Sequence, residues 1–256
     1  MARELIESLL EAAYGRKGIK RRVNGLDMRV HPRVRDRFLV DYDAPVADYL
    51  RSVVRPGTTC VNVGANVGIF AIQMAAWTGQ EGRVIAFEPN PNTAALLRKH
   101  IEMNGLASRI HVVQAAAASE SGVMDFYASG TDGMSRLGSP NPLLAATTVV
   151  QVDVTTLDAY CEREGVRPDV VLMDVEGFEV HALRGFRRTI TANPQMELVV
   201  ELHPSSWGDA GCTAAELRQL LDSLGLRPVG LTGQTDPVEE YGVVRLVRTA
   251  DAATAS

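Results

Sequence analysis

CVNVGANVG (residues 60–68), followed by VIAFEP (residues 84–89), is the stretch that decides how this chain folds. An apolar strand-like run enters a turn bounded by Gly64 and Gly68 and passes into a helical pattern from Val67 to Trp77. Without side chains, the two glycines let the backbone bend sharply and come close to a ligand. In an open α/β sheet this strand, turn and helix N-terminus lie where nucleosides bind, beyond the carboxyl end of the strand. Glu88, ending the next strand, is placed to accept hydrogen bonds from both hydroxyls of a ribose. Any parallel α/β fold needs glycines after its first strand, so the acid at position 88 is what sharpens the signal. A dinucleotide fingerprint would need glycines at position 66 and near 69, where the chain has Asn66 and Ile69. A pyrophosphate would meet side chains there, which disfavours a nicotinamide-dependent oxidoreductase and favours adenosine with a short charged tail.

Upstream, MARELIESLLEAAYGRKGIK (1–20) reads as a short amphipathic helix, and GLDMRVHPRVRDRFLVDYDAP (25–45) as alternating runs suited to a β-hairpin or cap. A helix from Ala44 to Val54 ends at the turn RPG. Downstream, a helix from Asn92 to Asn104 is closed by Gly105, and RIHVVQAAAA (109–118) and GVMDFYAS (122–129) read as strands. Gly130 to Thr147, rich in Gly, Ser, Pro and Asn, reads as a long loop. Strands then alternate again with helices: TVVQVDVTTL (148–157), Asp158 to Glu164, DVVLMDVEG (169–177), Glu179 to about Ile190, MELVVELHP (196–204) and Thr213 to Leu224. RPVGL (227–231) and GVVRLVR (242–248) form a closing strand pair. This alternation predicts a mostly parallel sheet with helices on both faces. The expected division is a cap over 1–43, one α/β domain over 44–248 and a flexible tail over 249–256.

With 256 residues, 46% of them hydrophobic, the chain can bury one substantial core. A net charge of −5 argues against nucleic acid as the main partner. The basic run Arg16, Lys17, Lys20, Arg21, Arg22 reads as a solvated stretch. Three widely spaced cysteines, Cys60, Cys161 and Cys212, encode neither a disulfide framework nor a thiolate zinc site. No secretory leader or membrane-spanning run is evident, so the expectation is a cytoplasmic protein with no membrane partner.

The blocks VNVGANVGIFAIQMA, VIAFEPNP, NGL before IHVVQAAAAS, VTTLDAY, VLMDVEGFEVHALRGF and LVVELH stand in an order that resembles the FkbM family of S-adenosylmethionine-dependent methyltransferases. The resemblance covers roughly Asp43 to Pro204, and DVEGFE is its most specific element. It implies a Rossmann-like class I methyltransferase fold, a seven-stranded sheet whose last strand is antiparallel, and methyl transfer to a hydroxyl oxygen of a small molecule such as a natural product or sugar. Carried over by motif, Gly64, Ala65, Asn66 and Gly68 would line the methionine part of the cofactor, Glu88 would hold the ribose, and Pro89 and Asn90 would lie beside the adenine. The family usually has Asp where this chain has Asn62, a change that keeps the hydrogen-bonding shape but loses the charge that would hold the cofactor's ammonium. A non-catalytic module that keeps the cofactor pocket but has lost turnover is the remaining alternative, with Asn62 as its only hint.

Removing a proton from an alcohol acceptor requires a base beside the reacting atoms. Asp174, after the run VVLM, should face the sulfonium at the ligand edge of the sheet, as base or as cofactor contact. Glu176 is the second acidic candidate; Glu179, in the first turn of a helix, is accounted for by the helix dipole. Glu201 and His203 share a strand face two residues apart and read as an imidazole base with its orienting carboxylate. Carboxylates and imidazole at neighbouring strand ends could also hold a divalent cation, but no local spacing encodes one and no metal ligands are assigned. Ser135 and Arg136, in the long loop, and Glu201 are the candidate acceptor contacts.

Overall fold

The apolar run ahead of Gly64 forms the central strand of a seven-stranded sheet, buried on both faces from Cys60 to Val63. In the computed structural model, which describes residues 9–129, 134–140 and 147–249, the chain opens with helical residues 9–14 and the hairpin β1 (Ile19–Val23) and β2 (Leu26–Val30). Asn24 and Gly25, both at positive φ, make its two-residue turn. Beyond β2 the alternating pattern does not continue as strand: Pro32 has no N–H to give a ladder, and Pro32–Arg37 forms a 3-10 helix.

The elements then follow as α1 (Ala44–Val53), β3 (Thr59–Val63), α2 (Ile69–Thr78), β4 (Arg83–Phe87), α3 (Pro91–Met103) and β5 (Ile110–Val113). Next come β6 (Ala116–Ala117), β7 (Gly122–Ala128), β8 (Arg136–Leu137), β9 (Thr148–Thr155), α4 (Leu157–Glu164) and β10 (Val170–Met173). The series ends with α5 (Glu179–Arg184), α6 (Arg187–Ala192), β11 (Glu197–Leu202), α7 (Pro204–Trp207), α8 (Ala214–Leu224), β12 (Leu226–Gly230) and β13 (Gly242–Arg248).

The main sheet has the order β12-β13-β11-β10-β3-β4-β5. Strands β11, β10, β3, β4 and β5 pair in parallel, and β13 is antiparallel to both its neighbours. This is the class I methyltransferase arrangement, with one apolar cluster on each face of the sheet. Caps set the helix starts: the Asn90 side chain accepts from the N–H of Asn92 and Thr93, and Thr156 and Thr213 cap α4 and α8 in the same way.

Two segments differ from their sequence reading. The run 109–118 is not one strand: β5 stays in the main sheet, while β6 joins a second, four-stranded sheet of order β6-β9-β7-β8. That sheet exists because β7 and β9 bury only one face, around Phe126, Val152, Val154 and Phe178, the economy of an antiparallel ribbon. The expected helix from Glu179 to Ile190 breaks into α5 and α6 at Gly185, whose backbone lies so close to Ala118 that a Cβ would sit 2.0 Å from its carbonyl oxygen. Among the described residues no helix is long and apolar enough to cross a membrane. The expected tail and most of the long loop lie outside them, though residues 134–140 of that loop are described and contain β8.

Candidate active site

Where β3 ends, Gly64 takes φ 78° and packs against β10 so closely that a Cβ would lie 1.7 Å from the Asp174 carbonyl oxygen. Its N–H and that of Ala65 both donate to the Phe87 carbonyl, tying the turn to the end of β4. Asn66 is also left-handed, at φ 50°, a costly conformation for a residue with a Cβ. It is held there because its N–H donates to Glu88 Oε2 at 2.8 Å and its Oδ1 accepts from the Val67 N–H and from Arg37 Nη1. Glu88 Oε1 accepts from the Asn90 N–H at 2.9 Å. Each carboxylate oxygen keeps a second lone pair for a ligand. Burial pushes the Glu88 pKa up to about 7, against the opposing pull of the two N–H donors and of Arg37.

A cleft of about 630 Å³, open on one side, is lined by Gly64, Asn66, Glu88, Pro89, Phe126, Ser135, Asp174, Glu176 and Phe178. A second hollow of about 540 Å³ is lined by Arg37, Tyr42, Asn62, Ala65, Asn66, Asp174 and Glu201. The two share Gly64, Asn66 and Asp174 in their linings, so they lie side by side at the turn. Asn62 Oδ1 is buried in the second hollow with no hydrogen-bond partner, an arrangement that favours a donor-bearing ligand. Gly68 and Asn90 are not among the lining residues: Gly68 leaves room for Leu97, and the Asn90 side chain caps α3. Ser135, just before β8, and Leu137 line the cleft, whereas the Arg136 guanidinium between them meets Asp209 at 3.3 Å and Ser206 Oγ at 2.5 Å. Arg136 is therefore not among the cleft-lining residues, though its charge acts on Glu176.

Asp174 and Glu176 leave the end of β10, and His203 leaves the end of its neighbour β11. His203 Nδ1 bonds Glu179 Oε1 at 2.9 Å, so the orienting carboxylate is Glu179 and not Glu201 as expected. Glu179 is fully buried and also accepts from the Gly177 N–H at 2.8 Å and from Trp207 Nε1 at 2.6 Å. Three donors satisfy a group that would otherwise be expensive to bury. Glu201 instead accepts from the Tyr241 hydroxyl, and the Tyr241 ring lies 5.3 Å from the His203 ring.

The charges in this cluster perturb one another. Burial, then the neighbouring Glu201 charge, raises the Asp174 pKa well above the carboxylate range, with His203 pulling the other way. Burial likewise pushes Glu176 up to about 7 against the opposing His203 charge. For His203 burial alone would lower the pKa, but the Glu179 hydrogen bond and the carboxylates together raise it to about 10. Strongly perturbed, mutually interacting groups in a cleft are a mark of functional sites.

Sequence reasoning missed Glu179, Arg37 and Tyr241. For Glu179 a signal was present, since the motif DVEGFE contains it; Arg37 and Tyr241 come from a 3-10 helix and a loop whose return to the site only the fold determines.

The family model for the methyltransferase FkbM domain matches residues 62–228, more than half of the chain. No curated protein matches the sequence. Among solved structures the chain is similar to methyltransferase FkbM from Methylobacillus flagellatus KT, at 18% identity over 78% of this chain and 50% of that one, with a TM-score of 0.48. It is similar also to a provisionally named rRNA-methylase from Clostridium thermocellum, at 10% identity over 80% of this chain and 94% of that one, TM-score 0.51. A third is the O-methyltransferase from Bacillus cereus in complex with SAH, at 15% identity over 80% of that chain and 79% of this one, TM-score 0.47. The chain spans half the length of the first of these. With its sheet order, its glycine turn and the family model all in agreement, this chain belongs to the FkbM methyltransferase family.

Proposed function

We propose that the protein transfers the methyl group of S-adenosylmethionine to a hydroxyl oxygen of a small molecule. The observation that carries this reading is the pair of adjacent hollows at Gly64, one lined by the Glu88 carboxylate and the other by Arg37 and by Asn62, whose buried Oδ1 has no hydrogen-bond partner among the described residues. The first suits a nucleoside and the second the zwitterionic end of an amino acid. Glu88 accepts the ribose hydroxyls, Pro89 packs beside the adenine, and Gly64, Ala65 and Asn66 line the path between them. Asn62 Oδ1 accepts from the ammonium, and Arg37 pairs with the carboxylate. When bound, the cofactor's sulfonium supplies an electrophilic methyl group. Asp174, which borders both hollows, together with Glu176 and His203, takes up the proton that the acceptor hydroxyl gives up, the proton belonging to the coupled cluster rather than to one residue. Ser135 contributes a hydroxyl to the acceptor side of the cleft. The net charge of −5 supports a small acceptor over a nucleic acid.

Calorimetry with S-adenosylhomocysteine tests the reading: binding is expected, and its absence at millimolar ligand sinks it. Arg37→Ala should weaken that binding by about 10- to 100-fold, the worth of a charge-assisted pair. The same variant should leave methylthioadenosine, which lacks the amino-acid arm, bound as before.

Affinity should also depend on pH through Glu88. Its carboxylate must be ionised to accept two hydroxyls, and its pKa is raised to about 7. Affinity therefore rises with pH through 7 and falls below it, by at most about tenfold per unit. Glu88→Gln should bind S-adenosylhomocysteine weakly at every pH and lose that slope; an unchanged slope in the variant would assign it to another group.

A further inference from the structure

His203 has one ring nitrogen tied and one not. Nδ1 reaches Glu179 at 2.9 Å, whereas Nε2 faces Glu176 Oε2 at 3.7 Å and Asp174 Oδ1 at 4.0 Å. A charge-assisted N–H···O bond closes to about 2.7–2.9 Å. Glu179 attains that distance, whereas Glu176, Asp174 and Glu201, whose Oε1 also stands 4.0 Å from Nε2, do not, so a hydrogen-bonded counter-ion does not describe this side of the ring. Ligands about 2.1 Å from one small divalent cation stand roughly 3.0–4.2 Å apart for bond angles from 90° to 180°. Both distances from Nε2 fall inside that range, and one donor atom of each residue lies within 4.8 Å of the other two, so a small side-chain shift brings all three onto one ion.

Two further observations point to a ligand here. Asp174 Oδ1 is buried without any hydrogen-bond partner, and the His203 side chain, only 10% exposed, directs its unbonded nitrogen at it. Ligating histidines commonly have their other nitrogen bonded to a carboxylate that fixes the ring. Glu179 occupies that position, itself anchored by Trp207 and the Gly177 N–H.

We propose that Asp174, Glu176 and His203 Nε2 form a site for one divalent cation, of the Mn²⁺ or Zn²⁺ kind that accepts imidazole and carboxylate together. The ligands come from the ends of two adjacent parallel strands, so no local sequence spacing encodes the site. Three protein ligands leave coordination positions open, and Asp174 and Glu176 face the cleft. An acceptor hydroxyl can take one of those positions, where the cation would lower its pKa; with the ion bound, Asp174, Glu176 and His203 act as its ligands rather than as the proton-accepting cluster. That last role rests on the methyl-transfer reading; the cation site does not.

Metal-stripped full-length protein titrated with Mn²⁺, with free Mn²⁺ followed by electron paramagnetic resonance, tests it. One ion per chain at micromolar affinity is expected, weakened by about tenfold or more in His203→Ala and in Glu176→Gln. Glu179→Gln should weaken it by about 10- to 100-fold through the ring orientation; if that variant does not fold, the partly exposed Glu176 carries the test. No Mn²⁺ uptake at millimolar concentration, or uptake that the variants leave unchanged, overturns the site. Calorimetry with S-adenosylhomocysteine on the same stripped protein separates the two readings. Nucleoside binding without Mn²⁺ binding removes the cation site alone, and Mn²⁺ binding without nucleoside binding keeps the site while removing the cofactor reading.

Discussion

Gly64→Ala should destabilise the protein by about 3 kcal/mol or more, combining roughly 1–2 kcal/mol for a side chain at positive φ with a similar or larger overpacking term. The overpacking cannot relax cheaply, because the atom in the way is the Asp174 backbone carbonyl, 1.7 Å from where the Cβ would be. β3 and β10 are neighbours at the middle of the sheet, so relief means prying apart a central parallel pair. For a chain of this size that loss lowers Tm by about 6–12 °C. Gly57→Ala is the control: its φ is 84°, but nothing lies within 4 Å of its Cβ position, so only the conformational cost of about 1–2 kcal/mol remains. Chemical denaturation measures both. Equal losses at the two positions would show that the close approach of β3 and β10 contributes nothing.

Removal of His203 has the second largest expected effect, and here the readout is turnover. Losing a group that handles a proton in the transition state costs about 10²–10⁴-fold in rate. His203→Ala should lower kcat with any hydroxylated acceptor by that order and change S-adenosylhomocysteine affinity little, since His203 lines neither hollow. Asp174→Ala should cost both rate and affinity, because Asp174 borders both. Acting as one unit, His203 and Glu176 should be non-additive: the double variant should be little slower than the worse single. Fully multiplicative losses would mean that the two act independently and would dissolve the cluster as a catalytic unit.

The glycine turn and its acid were legible because they are local. Gly64 and Asn66 lie two residues apart and Glu88 ends the next strand of a regular β/α repeat, so pattern and spacing carry that geometry. The catalytic half was legible only as a set of names. Asp174, Glu176 and His203 were recognisable as strand-end residues, but strand alternation brought Glu201 only to within 4.0 Å of His203 Nε2, while the hydrogen bond to the ring goes to Glu179. Alternation says which face a side chain takes, not which neighbour fills it; a short helix, α7, brings Trp207 over Glu179 and draws the imidazole to that side. The same limit explains the helix that breaks at Gly185, where helical periodicity runs on but the Ala118 carbonyl leaves no space.

By itself the sequence determined the doubly wound sheet, its closing strand pair and the glycine turn with its acid, because hydrophobic period, caps and glycine positions act over a few residues and need no partner to be read; the antiparallel sense of the last strand followed only from the family resemblance. Tertiary structure alone decided that β7 and β9 leave the main sheet, that Arg37 from the cap reaches Asn66, and that Glu179 rather than Glu201 holds His203. Each of those depends on which surfaces meet across tens of residues of chain, and packing free energy, not local propensity, makes that choice.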